Sequence, residues 1–163
     1  MIYCIHTGII MRRIDKEIKN IEEIESIIEK SNVCRFALSE NNSPYIVPVC
    51  FGYKDNCLYF HSAKESKKLD IIRKNNYVCF EFDIYGGLLK SEKPCDWDIK
   101  YSSVIGFGKA SVVHDFEEKI KALNIIIEHY SDSPYDFQIR NIDNITIIRI
   151  DIENITGKRS GYS

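Results

Sequence analysis

Apolar and polar positions alternate with two different periods along this chain. Over residues 15–32, Ile18, Ile21, Ile24, Ile27 and Ile28 recur at helical spacing with lysines and glutamates between them. The pattern predicts an amphipathic helix whose isoleucine stripe packs on a core. The period then shortens. Residues 33–39, "VCRFALS", are β-branched and aromatic, and the "ENNSP" that follows is a turn cluster. Residues 45–53, "YIVPVCFGY", read as the returning strand. Pro48 cannot donate a ladder hydrogen bond, so its position is an edge, a bulge or an opening.

"KDN" at 54–56 predicts a tight hairpin into another strand at 57–62, followed by a short helix. Residues 77–84, "YVCFEFDI", form the next strand. A loop with Gly86, Gly87, Pro94 and Trp97 leads to a long strand at 101–113, "YSSVIGFGKASVV". Asp115 is placed to cap a second long helix, with acidic residues in its first turn. "SDSPYD" breaks the chain, residues 145–155 form a last strand, and "TGKRSGYS" is the tail. The order is helix, three strands, short helix, two strands, helix, strand. Tight turns between consecutive strands require antiparallel pairing, since parallel pairs need long crossovers. The expected fold is mainly β with peripheral helices: an antiparallel six-stranded barrel, closed or partly closed.

Composition narrows the class. The chain has 163 residues, 44% hydrophobic and 28% charged, with a net charge of -2. That fits one globular domain and argues against a polyanion binder, so nucleic acid is not an expected partner. The six cysteines (Cys4, Cys34, Cys50, Cys57, Cys79 and Cys95) form no C-x-x-C pair. The expectation is reduced, buried thiols in a cytoplasmic protein. The apolar segment 1–10 precedes its arginines, the wrong order for a signal peptide, and is too short to span a bilayer. Met11 opens "MRRIDKEI" as a natural start would, so 1–10 is set apart as an extension and 11–163 as the domain.

The chemistry gathers in "HSAKESKK", residues 61–68. Ser62 or Ser66 could cap the short helix. With Ser66 as cap, Lys67 and Lys68 occupy the first turn, where the helix dipole disfavours cations by about 0.3–1 kcal/mol. Read from residues alone, the stretch is either a solvated basic face or an anion site. Free amides, serine hydroxyls and two ammonium groups suit a phosphate, at roughly 1.5–3 kcal/mol for each hydrogen bond to a charged group.

These segments, with "PYIVPVCFGY", "VCFEFD", "YSSVIGFGKA" and "ITGKR" in this order and spacing, resemble the FMN-binding split-barrel superfamily. Pyridoxamine 5'-phosphate oxidase belongs to it, and the nitroimidazole-resistance (Nim-type) branch is the most similar, from about Met11 to Gly161. The resemblance implies FMN as cofactor, held at the interface of a homodimer. It implies that Lys67 and Lys68 hold the FMN phosphate, with Ser62 and Ser66 as hydroxyl donors. His61, Ser62 and Ala63 would line the flavin, and Pro48 and Val49 would lie along the isoalloxazine. Ser103 and Val104 would approach from the second subunit, and Lys158 and Arg159 would reach the cofactor or substrate from the tail.

The implied activity is FMN-dependent reduction of a small organic substrate such as a 5-nitroimidazole. His61 is the candidate catalytic group, since histidine titrates near neutrality. Two alternatives stay open: an oxidase of a phosphorylated metabolite, and a non-catalytic flavin- or haem-binding module. His114 and His129 flank a helix and read as surface residues. Gly106 and Gly108 form a lone G-x-G without a following helix, which is no dinucleotide fingerprint. "CDWD" offers Cys95, Asp96 and Asp98 without a fourth ligand, so no metal is expected.

Overall fold

The structure, a computed structural model, describes residues 13–131 and 144–162. The expected extension at 1–10 and most of the "SDSPYD" break lie outside the described residues. A turn of 3₁₀ helix at Ile14–Lys16 leads into a two-residue strand, β1 (Glu17–Ile18). Helix α1 (Ile21–Lys30) is therefore shorter than the periodicity predicts. The reason is local: the Asn20 side chain accepts from the Glu22 amide at 2.9 Å and starts the helix there. Ile18 still enters the core, from a strand.

Strands β2 (Cys34–Glu40) and β3 (Ser43–Val49) form a hairpin turning at Asn41 and Asn42, both at positive φ. Asp55 and Asn56 do the same between β4 (Gly52–Lys54) and β5 (Cys57–Ala63). Asparagine and aspartate tolerate that left-handed backbone, which two-residue hairpins require. Helix α2 (Lys67–Lys74), β6 (Tyr77–Leu89), β7 (Asp98–Val113), α3 (Phe116–Glu128) and β8 (Ile145–Ser160) complete the chain.

All pairings are antiparallel, in the order β3-β2-β6-β7-β8-β5-β4, with β1 beside β8. The expected six strands become eight. The predicted strand at 45–53 breaks at Cys50 and Phe51 into β3 and β4, and β1 is new. β6 and β7 also extend into the predicted loop, with a register shift between Tyr85 and Gly87. β8 absorbs "TGKRS" from the predicted tail. The mainly antiparallel split barrel itself is as expected. Its closure shows in the core: Phe36 on β2 and Phe60 on β5 are four places apart in the sheet, yet their rings lie 4.6 Å apart. Phe51 meets Phe82 at 4.7 Å. Leu69, Ile71 and Ile72 of α2 join this core, and α3 covers Val113 and Ile147 on the outer face.

Gly106 and Gly108 serve this packing. A Cβ on Gly106 would fall 2.2 Å from Phe80 Cζ, and one on Gly108 would fall 2.2 Å from the Asp151 carbonyl oxygen. His129, expected at the surface, is half-buried: its ring lies 4.2 Å from Phe51 and its Nε2 is 2.7 Å from the Ser31 carbonyl. The adjacent Tyr130 hydroxyl donates to the Asn32 carbonyl (3.0 Å) and accepts from the Phe51 amide (3.1 Å). Together they tie the end of α3 to the end of α1 and to the β3–β4 link. His114 is exposed, as expected. The five cysteines described are free. Cys34 and Cys57 are buried, whereas Cys50 and Cys95 are exposed, contrary to the expectation of buried thiols. Among the described residues no helix is long and apolar enough to cross a membrane.

Two outcomes follow from this packing. Gly108→Ala should cost about 1–3 kcal/mol through overpacking against backbone, and thermal unfolding should show it as a fall of roughly 2–4 °C per kcal/mol. Burial pushes the Tyr130 phenol from its ordinary 10.0 up to about 12. The stability tied to its neutral form is present below pH 10 and is lost as pH rises toward 12. Urea titrations across that range should show the decline, with a flatter limb in Tyr130→Phe.

Candidate functional site: the start of helix α2

The choice between two capping serines is resolved. The Ser66 hydroxyl accepts from the Leu69 amide at 3.4 Å, and the Ser66 carbonyl accepts from Leu69 and Asp70. Ser62 lies under the cap, 3% exposed, with its Oγ 3.0 Å from Ser66 Oγ. Lys67 and Lys68 are then the first two residues of α2.

The charges along α2 are handled unequally. At its far end Arg73 pairs with Asp70 (2.9 Å) and Lys74 with Glu40 (2.5 Å). At its start neither Lys67 nor Lys68 meets a carboxylate among the described residues. The Lys67 ammonium rests 4.6 Å above the Tyr45 ring on β3 instead, a contact worth about 0.5–1 kcal/mol at an exposed site. Two lysines, a helix start and two linked hydroxyls thus share one short stretch, with no carboxylate paired to either lysine among the described residues. This donor set fits a phosphate.

The remaining expected residues fall into two groups. Along β5 the faces alternate: Ser62 points in, while His61 and Ala63 are exposed on the opposite face. Pro48 is exposed on the edge strand β3, where its missing N–H breaks no ladder to a further strand. Val49 beside it is half-buried. Of this first group, Ser62, His61 and Ala63 lead into α2, whereas Pro48 and Val49 lie further along β3 than Tyr45, opposite Arg35 and Cys34. The second group stands on β7 and the far end of β8, where Ser103 pairs with Lys158. Ala63 pairs with Ile145 at the other end of β8. A strand from Ile145 to Lys158 spans roughly 40 Å when extended, at about 3.3 Å per residue. One chain therefore does not gather the start of α2 and the β7–β8 residues around one small ligand.

Within the second group the fit varies. Lys158 lies 5.6 Å over the Tyr101 ring and has no carboxylate partner among the described residues. Arg159 is occupied: it pairs with Glu23, donates to Ser102 Oγ at 3.5 Å and lies 5.0 Å from the Tyr162 ring. Val104 fits least. Its side chain is fully buried, and it sits between Phe82 and Gly157 in the middle of the sheet. Sequence reasoning missed Tyr45, whose contact with Lys67 joins two elements that no local spacing connects. It also missed Arg35, which bonds Glu81 (3.0 Å) and Asp83 on the outer face of β2 and β6.

A cleft of about 480 Å³ between α3 and the β4–β5 hairpin contains none of the expected residues. Its lining mixes Lys54, Lys121 and Arg149 with Asp55, Glu118 and Glu128, without surplus charge. The start of α2 is instead an open shelf. No group of three His, Cys, Asp or Glu among the described residues could hold a metal ion.

The fold is that of the flavin-binding split barrels. The model of the pyridoxamine 5'-phosphate oxidase family matches residues 20–159, and the chain belongs to that family, in which FMN is the usual cofactor. A solved structure from Bacteroides thetaiotaomicron, of a protein named for 5-nitroimidazole antibiotic resistance, is 30% identical. Its TM-score is 0.79, and the match covers 88% of this chain and 86% of that one. The flavocytochrome Anf3 from Azotobacter vinelandii shares the fold at 14% identity and TM-score 0.83, covering 94% and 73%. An FAD- and heme-binding protein from Mycobacterium smegmatis does so at 16% identity and TM-score 0.82, covering 90% and 74%. No curated protein matches the sequence.

Removing the cap tests the geometry of the shelf without any ligand. Ser66→Ala should lower stability by about 0.5–2 kcal/mol, measured by urea unfolding, because the Leu69 amide and the buried Ser62 hydroxyl both lose a partner. Ser66→Thr, which keeps the hydroxyl, should retain most of it.

Proposed function

We propose that the chain is an FMN-dependent oxidoreductase acting on a small organic substrate, with a nitroaromatic such as a 5-nitroimidazole as the leading example. The observation that carries the cofactor site is the uncompensated pair Lys67 and Lys68 beside Ser62 and Ser66, on a helix whose other cations are all paired. When bound, FMN supplies the redox chemistry. The chain's part is to hold the phosphate at the start of α2 and to lay the ring along Pro48 and Val49. His61 is the candidate proton donor on the exposed face of β5. The electron donor is a nicotinamide nucleotide or another reductant. Support for the substrate class comes from the 30%-identical relative named for 5-nitroimidazole resistance.

The working form in this reading is a cytoplasmic homodimer. Ser103 and Lys158 stand too far along β8 from α2 to serve the same flavin as the lysines of their own chain, and a second copy would supply them. The β6–β7 hairpin also leaves Leu88, Leu89, Trp97 and Ile99 exposed, an apolar surface suited to a partner.

The visible spectrum of the purified protein is the first test. A flavin doublet is expected, while a colourless protein that takes up no FMN would sink the reading. A Soret band would favour the haem-binding alternative, and flavin without turnover of any nitroaromatic would favour a non-catalytic module. Lys67→Ala with Lys68→Ala should weaken FMN binding by roughly a hundredfold or more, from the loss of two charge-assisted contacts. Fluorescence titration of the apoprotein measures this, and unchanged affinity would misplace the phosphate.

A further inference from the structure

A second cleft, of about 320 Å³, opens where α1 passes into β2. One wall is apolar and aromatic: Val33, Ile84 and Tyr85, of which Tyr85 is 63% exposed. The polar end is Arg35 with Asp83, and Lys30 stands on the rim. Arg35 bonds Glu81 and Asp83 through the same nitrogen, Nη1. Its Nε and Nη2 donors have no partner among the described residues, although a guanidinium carries five N–H donors in a planar fork.

This arrangement separates hydrogen bonding from charge. Arg35 offers directed donors, but two carboxylates more than cancel its positive charge, and with Lys30 included the four charges sum to zero. Burial also pushes the Glu81 carboxyl up, so an additional anion nearby would be unwelcome. A phosphate or carboxylate gains little here, whereas a neutral acceptor such as a nitro, carbonyl or amide oxygen can be bonded. The flat Tyr85 face suits a planar aromatic ring. The position is also suggestive: Arg35 pairs with Pro48, and Asp83 pairs with Ser103, so the cleft adjoins both groups of expected flavin residues.

We propose that this cleft is the substrate pocket and that Arg35, held by Glu81 and Asp83, selects neutral planar aromatics bearing an oxygen acceptor over anionic ones. The proposal rests on the flavin reading for the identity of the reaction, but the ligand preference is measurable without it. It weighs against a phosphorylated metabolite as substrate.

The test compares para-nitrobenzamide with para-nitrobenzoate, alike in ring and nitro group and different in charge, by calorimetric titration of the full chain at moderate salt. The wild type should bind the amide roughly tenfold or more tightly than the carboxylate, the scale of one charge-linked hydrogen bond. Arg35→Met should remove most of the amide binding. Glu81→Gln with Asp83→Asn, which leaves Arg35 its charge, should tighten the carboxylate until the preference narrows or reverses. Equal binding of both compounds to the wild type overturns the proposal and needs no variant. Unchanged preference in the double variant, with an unaltered melting curve, overturns it too. The two readings fail separately. A protein that loads FMN but does not discriminate loses this proposal alone, and one that discriminates through Arg35 but takes up no flavin loses the function alone.

Discussion

Two residues hold the two ends of the sheet together. Cys50 and Phe51 are all that separates β3, one edge strand, from β4, the other. Three virtual bonds of the backbone allow roughly 11 Å between Val49 and Gly52, so seven strands in series must curl until their edges almost meet. Phe51 sits in that link fully buried, against Phe82 and beneath His129. The curl brings Phe36 to Phe60 across the interior. Everything else about the molecule follows from a barrel that is joined by chain at its seam instead of by hydrogen bonds.

A barrel of this size packed with phenylalanine and isoleucine has no room inside for a ligand. Binding chemistry is therefore pushed to the rim and the outer face. Helix α2 shows how one short element serves both demands. Leu69, Ile71 and Ile72 anchor it in the core, while Lys67 and Lys68 stay at its exposed start. The anchoring fixes the backbone from which the two lysines project, so less remains to be ordered when an anion binds there.

The elements were largely legible in the sequence because strand alternation and capping residues are local signals. Asp115 caps α3 as its position suggested, and the two hairpins turn where asparagine and aspartate cluster. The failures lie where distant contacts overrode periodicity. Ile18 fits the isoleucine stripe of a helix, yet pairing with Gly157, far along the chain, draws it into β1. The tail "TGKRS" has turn-like composition but is held straight by β7 on one side and β1 on the other. Of the site, Lys67, Lys68, Ser62 and Ser66 were legible because they share one short stretch. Tyr45 and the Arg35–Glu81–Asp83 group were not, since each joins strands whose proximity only the barrel creates. Val104 turned out to be fully buried in the central sheet, and no local signal in the sequence told which face of that strand it presents.

β8 has a consequence for how the molecule comes into being. It pairs with β7, β5 and β1, and among the eight strands described it is the last to be synthesised. Until then β5, which leads directly into α2, has only the three-residue β4 beside it. The Ser62–Ser66 contact and the start of α2 behind it thus acquire a fixed position only when β8 arrives. Contacts of such long separation close slowly, so a nascent chain holds an unfinished barrel with open edges for most of its synthesis. In this protein the candidate phosphate shelf is encoded before β6, and the strand that fixes it, β8, follows it by about eighty residues.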